Sequence, residues 1–269
     1  MDTVKQNKEK ISREQRELIS QRYKRITKAV NLEFWEIENE TDHSRYVGSY
    51  GRGTAIDTSD IDILVELPRD VYEQHDAHKG NGQSRLLQAV RNAILQTYPR
   101  SNVHADGQVV VVDFSDGMKF EILPAFKQLD YWGSWNGKYD YPDTNMGGNW
   151  RSTNPKAEQE AMRELNRTSN GLLYDTCKHM REIRDSYFSN CHLSGIVIDS
   201  FVYHYIGGWH WVREGEERSN KPVGTYEKTL TSACPNSSFY LTAPGSGDSV
   251  DTRDSIGTLY KVLNHMSKE

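Results

Sequence analysis

"YVGSYGRGTAIDTSDIDILVEL", residues 46–67, places a Gly-Ser pair after an apolar residue. Ten more residues follow, and then two aspartates one residue apart at the head of an apolar run. In a strand, side chains at i and i+2 leave by the same face, so Asp60 and Asp62 point together while Ile61 turns to the core. Two neighbouring carboxylates repel unless something cationic joins them. Magnesium is suited to this, because it takes carboxylate oxygens together with substrate phosphates. Gly48 lets the backbone approach a ligand closely, and the N–H groups of the turn, with the Ser49 hydroxyl, suit phosphate oxygens. Gly-Ser alone is a common dipeptide; its interval from Asp-x-Asp and the apolar strand behind give the pattern its weight.

On the N-terminal side, Ile11, Leu18, Ile19, Tyr23, Ile26, Val30, Phe34 and Ile37 recur at helical steps and predict one long amphipathic helix. Residues 1 to 28 carry nine Lys or Arg against four Asp or Glu, whereas residues 31 to 42 carry five acids and no base. The basic half could face a phosphate-rich partner, although a solvated outer face explains it as well. Arg45 to Val47 reads as a short strand ending in the turn. Ile61 to Leu67 reads as a β-branched strand stopped by Pro68, and residues 69 to 84 as a loop.

Leu86, Leu87, Val90, Ile94 and Leu95 mark a helix ending near Pro99. Val109 to Phe114 and Met118 to Leu123 flank Asp116-Gly117 as a tight antiparallel hairpin. An α/β (α+β) lobe with a mixed sheet follows. From about Asn149 the spacing turns helical, over Pro155 to Thr168, Leu172 to Phe188, Ile196 to Trp211 and Ser255 to Met266. Two lobes are therefore expected, 1–148 with the sheet and 149–269 helical. The stretches 128 to 154 and 214 to 250 read as connecting or lid loops.

A length of 269 residues accommodates two lobes of ordinary size, and the net charge of −5 excludes a molecule built as a polycation for duplex nucleic acid. Cys177, Cys191 and Cys234 form no CxxC pair and, being odd in number, no obvious disulfide framework. The first thirty residues are a charged helix former rather than a basic tip before an apolar stretch, and no run of eighteen apolar residues occurs. A cytoplasmic protein without membrane contact is expected. His75, Asp76 and His78 lack a second ligand pair and are not read as a zinc site. Tyr203, Tyr205 and Trp209 at helical spacing read as core.

The apolar residue, Gly-Ser, ten-residue interval and Asp-x-Asp resemble the nucleotidyltransferase superfamily of the DNA polymerase β type. That family places a third carboxylate on an adjacent strand; the matching position is Glu121 in "KFEILPAF", with Asp113 as the competing candidate. Aspartate is the commoner residue there, so glutamate is a departure. With Glu121 to Ala125, "NWRSTNPKAEQEAMRELN" and the helix carrying Lys178, the chain looks like the bacterial cGAS/DncV-like nucleotidyltransferases (CD-NTases, SMODS-type). The likeness is strong over 46 to 67 and 119 to 126 and loose after 190.

The resemblance implies an enzyme that makes a cyclic di- or trinucleotide second messenger from nucleoside triphosphates, ATP and a second NTP, in anti-phage (CBASS) signalling to a downstream effector. It implies two Mg2+ ions, with Mn2+ as a substitute, held by Asp60, Asp62 and Glu121, and nucleotides bound in a cleft between the lobes. Gly48 and Ser49 would fix the donor phosphates. Lys178 matches a family position on the triphosphate, although an ordinary surface lysine reads equally well. Arg52 could touch phosphate or be solvated; Trp150, beside Arg151 and Asn154, matches a segment near the nucleotide, although packing explains a tryptophan there too. The same three acids would also serve a transferase acting on an RNA end, a small molecule or a protein. A catalytically silent nucleic-acid sensor would instead use residues 1 to 28.

Overall fold

The computed structural model describes residues 2–6, 10–58, 60–217, 220–235, 237 and 239–268. They form two compact units: Ser12–Gly51 with Ser59–Pro155, and Met1–Ile11 with Arg52–Thr58 and Lys156–Glu269. The fold is mixed α/β, of the polymerase β-like nucleotidyltransferase kind.

The first unit begins with α1 (Arg13–Phe34), whose start is fixed by Ser12: its hydroxyl accepts the Gln15 N–H at 3.1 Å, and the Gln15 side chain accepts the Ser12 N–H in return. Next come β1 (Ser44–Tyr46), the one-turn α2 (Gly48–Arg52) and β2 (Ile61–Glu66). Residues 69 to 84, expected as a loop, instead hold α3 (Arg69–Asp76) and the start of α4 (Gly82–Thr97). No residue of α3 is buried, so it leaves no apolar stripe to read.

The sheet is completed by β3 (Asn102–Asp106), β4 (Val109–Asp113), β5 (Lys119–Leu129), β6 (Trp135–Asp143) and β7 (Asn149–Thr153). Its order is β1-β2-β5-β4-β3, with β6 joining β5 and β7 joining β6. Only β2 and β5 run parallel; the other pairs are antiparallel, including the expected hairpin of β4 and β5. The 128–154 stretch is thus largely strand rather than lid, and β7, expected in the helical lobe, belongs to the sheet.

One face of the sheet carries Ile61, Ile63, Val110, Val112, Phe120 and Ile122, all buried together with Leu86, Val90 and Ile94 of α4 and Ile19, Ile26 and Val30 of α1. Alternation sends Asp60, Asp62, Lys119 and Glu121 to the opposite face. That sidedness positions the site.

The second unit is mainly helical: α5 (Pro155–Thr168), α6 (Leu172–Tyr187), α7 (Gly195–Tyr205), α8 (Thr225–Ala233) and α9 (Ile256–Ser267), with β8 (Leu241–Thr242) and β9 (Ser249–Val250) as a small ribbon. Its core gathers Met162, Leu173, Met180, Phe201, Val202, Leu230, Leu259 and Leu263. α7 stops at Tyr205 rather than Trp211, ahead of Gly207 in the left-handed region (φ 55), yet Trp209 and Trp211 still pack on the core, as do Tyr203 and Tyr205. α8 and the ribbon lie within 214–250, expected as loop; residues 218, 219, 236 and 238 of that stretch lie outside the described residues, as does Lys8 of the basic segment.

Candidate active site

The parallel ladder sets Asp62 directly beside Glu121, with Ile61 against Phe120 and Ile63 against Ile122. Residues in register on neighbouring strands share a face, so the two carboxylates project from the same side, with Asp60 and Lys119 one pleat earlier. Asp113, the competing third acid, pairs with Lys119 on β4, one strand further from β2, and accepts a hydrogen bond from the Asn102 amide at 2.8 Å. Glu121 is therefore the acid adjacent to the aspartate pair.

The turn closes on the same carboxylates. The Val47 N–H donates to the Asp62 carbonyl at 2.9 Å, and Gly48 sits in the left-handed region (φ 56) with its Cα against the Asp62 side chain. A Cβ at this position would overlap the Asp62 carboxylate, so only glycine lets the turn come so close. Ser49 follows immediately, within α2.

The Lys119 ammonium lies between two of the acids, donating to Glu121 Oε1 at 2.6 Å and to Asp60 Oδ2 at 3.2 Å. The hydrogen bond to Glu121, and then the charges of Glu121 and Asp60, push its pKa above the ordinary lysine value against some opposing burial. It stays charged at any physiological pH. Among the described residues, no three His, Cys, Asp or Glu side chains are already drawn together tightly enough to hold a metal ion. The donor set nevertheless fits a hard divalent cation: three carboxylates on one face, two of them already converging on a positive group.

The remaining expected residues lie elsewhere. Arg52 is buried in the second unit, where its Nε donates to Asp199 Oδ2 at 2.8 Å and its Nη1 to Glu158 Oε2 at 2.9 Å. Arg181 grips the same Asp199 through two nitrogens at 2.7 and 2.9 Å, and the Thr54 hydroxyl donates to it at 2.9 Å. Two guanidiniums and two carboxylates thus neutralise one another, and the expectation that Arg52 touches phosphate or is solvated is corrected to an internal ion pair. Burial alone would raise the Asp199 carboxyl; Arg181 and Arg52 outweigh it and hold it below its ordinary value.

Trp150 is likewise placed by packing. Its indole N–H donates to Asp76 at 2.9 Å, and its ring meets Tyr72 at 4.7 Å and Phe126 at 5.6 Å. Phe126 leaves β5 on the side opposite Glu121, so Trp150 is not at the acids. Lys178 lies on α6 in the second unit, its ammonium 5.9 Å from the Tyr174 ring centre. In the basic half of α1, Arg22 is paired with Asp116 and stacked on Phe114, while Lys28 is paired with Glu38. Sequence reasoning passed over Lys119, whose one signal is its i−2 spacing from Glu121 on a strand, and the Arg181–Asp199 pair, which hides within apolar helices.

The family model for the Second Messenger Oligonucleotide or Dinucleotide Synthetase domain (SMODS) matches residues 2–166. The chain belongs to this family. As a SMODS protein it is a cGAS/DncV-like nucleotidyltransferase, an enzyme of the class that makes cyclic oligonucleotides. Among curated proteins none matches it in sequence.

Similar solved structures include a CdnE cyclic dinucleotide synthase from Elizabethkingia meningoseptica with GTP and Apcpp (16% identity, 93% of this chain and 91% of that one, TM-score 0.60). A STING-associated CdnE c-di-GMP synthase from Capnocytophaga granulosa aligns at 13% identity over 96% and 82%, with a TM-score of 0.63. DncV cyclic AMP-GMP synthase of Vibrio cholerae, in complex with a linear intermediate, aligns at 13% identity over 83% and 61%, with a TM-score of 0.60. At these identities the likeness speaks to the fold. No described helix is long and apolar enough to cross a membrane.

Proposed function

We propose that this SMODS enzyme joins two or three ribonucleoside triphosphates, ATP and a second NTP, into a cyclic oligonucleotide with release of pyrophosphate, serving as a second messenger in anti-phage defence. The observation that carries the reading is the register of Asp62 against Glu121, with Asp60 on the same face and Gly48 pressed against Asp62. Family membership supports the product class, and the GTP and Apcpp bound to the similar CdnE and the linear intermediate bound to DncV support the substrates.

Asp60, Asp62 and Glu121 would hold the divalent cations, Mg2+ or Mn2+. When bound, these supply charge compensation for the triphosphate and acidify the attacking hydroxyl. The chain's own residues do the rest. The glycine at 48 lets donor phosphates approach the backbone where a larger residue would block them, and the Ser49 hydroxyl can donate to a phosphate oxygen. Fixing the phosphates aligns the pyrophosphate for departure opposite the incoming hydroxyl. Glu121, part-exposed at the same face, would accept that hydroxyl's proton. Lys178 is assigned to the triphosphate on the family likeness alone.

Incubating the protein with Mg2+ and all four ribonucleoside triphosphates should release pyrophosphate and give a phosphatase-resistant product whose mass identifies the ring. Linear tails on added RNA, with no such product, would overturn the cyclase reading.

A further inference from the structure

Lys119 adds something that the family pattern of three acids does not contain. Its ammonium bridges Asp60 and Glu121, the first acid of the strand pair and the third acid. Asp113 is its register partner on β4 but is taken up by the Asn102 amide, so Asp60 and Glu121 are the two carboxylates that hold the ammonium. The lysine side chain is about one-third exposed, at 34%, and sits at the first residue of β5 on a flexible four-carbon stem.

We propose that Lys119 is a tethered counter-ion that occupies the cation position between Asp60 and Glu121 in the metal-free protein, and that a divalent ion using Glu121 must displace it. This rests on the reading of Asp60, Asp62 and Glu121 as metal ligands. The physical reason is mutual exclusion: a carboxylate oxygen donating its lone pairs to an ammonium 2.6 Å away cannot also coordinate an ion on the same side. The lysine thereby performs two tasks. It relieves repulsion among the acids before substrate arrives, and it weakens divalent-ion binding at Glu121, so that the ion is held firmly only when triphosphate brings further oxygens.

The test is Mn2+ binding to the nucleotide-free protein, followed by calorimetry and by the Mn2+ paramagnetic resonance signal, in the wild type, Lys119→Gln, Lys119→Met and Asp62→Asn. Removing an ion-pair competitor should tighten Mn2+ binding about tenfold in both Lys119 variants. In a chelator their melting temperatures should fall below the wild type, and saturating Mn2+ should close the gap. Two substitutions of different polarity guard against a local misfolding effect, and far-UV circular dichroism shows that each variant folds. Mn2+ affinity unchanged or weaker in both variants, while Asp62→Asn still abolishes binding, overturns the role of Lys119 alone. Binding that Asp62→Asn leaves intact, or no binding in any of the four proteins even with a nonhydrolysable triphosphate present, overturns the metal-site reading and this inference with it.

Discussion

A cluster of opposite charges in the helical unit and another on the sheet are built to different ends. In the helical unit, Arg52, Arg181, Glu158 and Asp199 are all buried, with Asp199 and Arg181 at 0% and 1% exposure, and their ion pairs balance two positive groups with two negative ones. On the sheet, Asp60, Asp62 and Glu121 share a face with one lysine, Asp60 exposed and the others part-exposed. The buried cluster is closed: removing either sign leaves an uncompensated charge out of water. The open one carries more negative charge than its lysine neutralises, at a surface a cation or triphosphate can reach. Charge pairing alone thus does not mark a site; excess charge on an accessible face does.

The largest effect that would break this contrast is on chemistry. Asp62→Asn removes a ligand charge with almost no change in volume, so pyrophosphate release should fall about a thousandfold while the melting temperature stays near that of the wild type. A near-normal rate would remove Asp62 from the site. Asp199→Asn should do the reverse, lowering stability to urea by about 3–5 kcal/mol because two buried guanidiniums lose their shared partner. That loss carries a pH signature. The Asp199 carboxyl is held below its ordinary value of 3.8, so its contribution is complete above that pH and disappears as the pH falls through the lower folded value. The stability gap between wild type and Asp199→Asn should be flat from neutrality to about pH 4 and narrow below it.

A smaller effect tests the turn. Gly48→Ala forces a Cβ into the Asp62 carboxylate and strains a left-handed backbone, and should slow turnover about 10- to 100-fold. Smaller again, Arg52→Lys keeps the charge but loses the fork that spans Asp199 and Glu158. It should cost about 1–2 kcal/mol in urea unfolding and leave the KM for nucleotide unchanged. A raised KM with unchanged stability would return Arg52 to the substrate.

The site was legible in the sequence where chemistry and period coincide. Asp62 sits on β2 with Asp60 just ahead of it, Gly48 opens α2 at the characteristic interval before them, and Glu121 lies in the hairpin announced by Asp116-Gly117. Three of the elements passed over carry too little burial to be periodic: α3 buries nothing, β3 only Val103, and β7 nothing. Such strands owe their existence to the neighbours they hydrogen-bond to, which a local window does not contain. Lys119 was passed over, and the ion pair of Arg52 was not foreseen, for a related reason. Their partners lie far away along the chain or depend on which way a side chain turns, as with Arg52 and Asp199, 147 residues apart.

The parallel register of β2 and β5 makes the third acid hostage to residues that never meet a ligand. Slipping one strand by a single residue would put Phe120 or Ile122 beside Asp62 and drive Glu121 into the helix-covered interior, so the apolar side of the sheet acts as proofreader for the acidic side. Substitutions deep under α4 can therefore silence the enzyme without altering any residue at the reacting end.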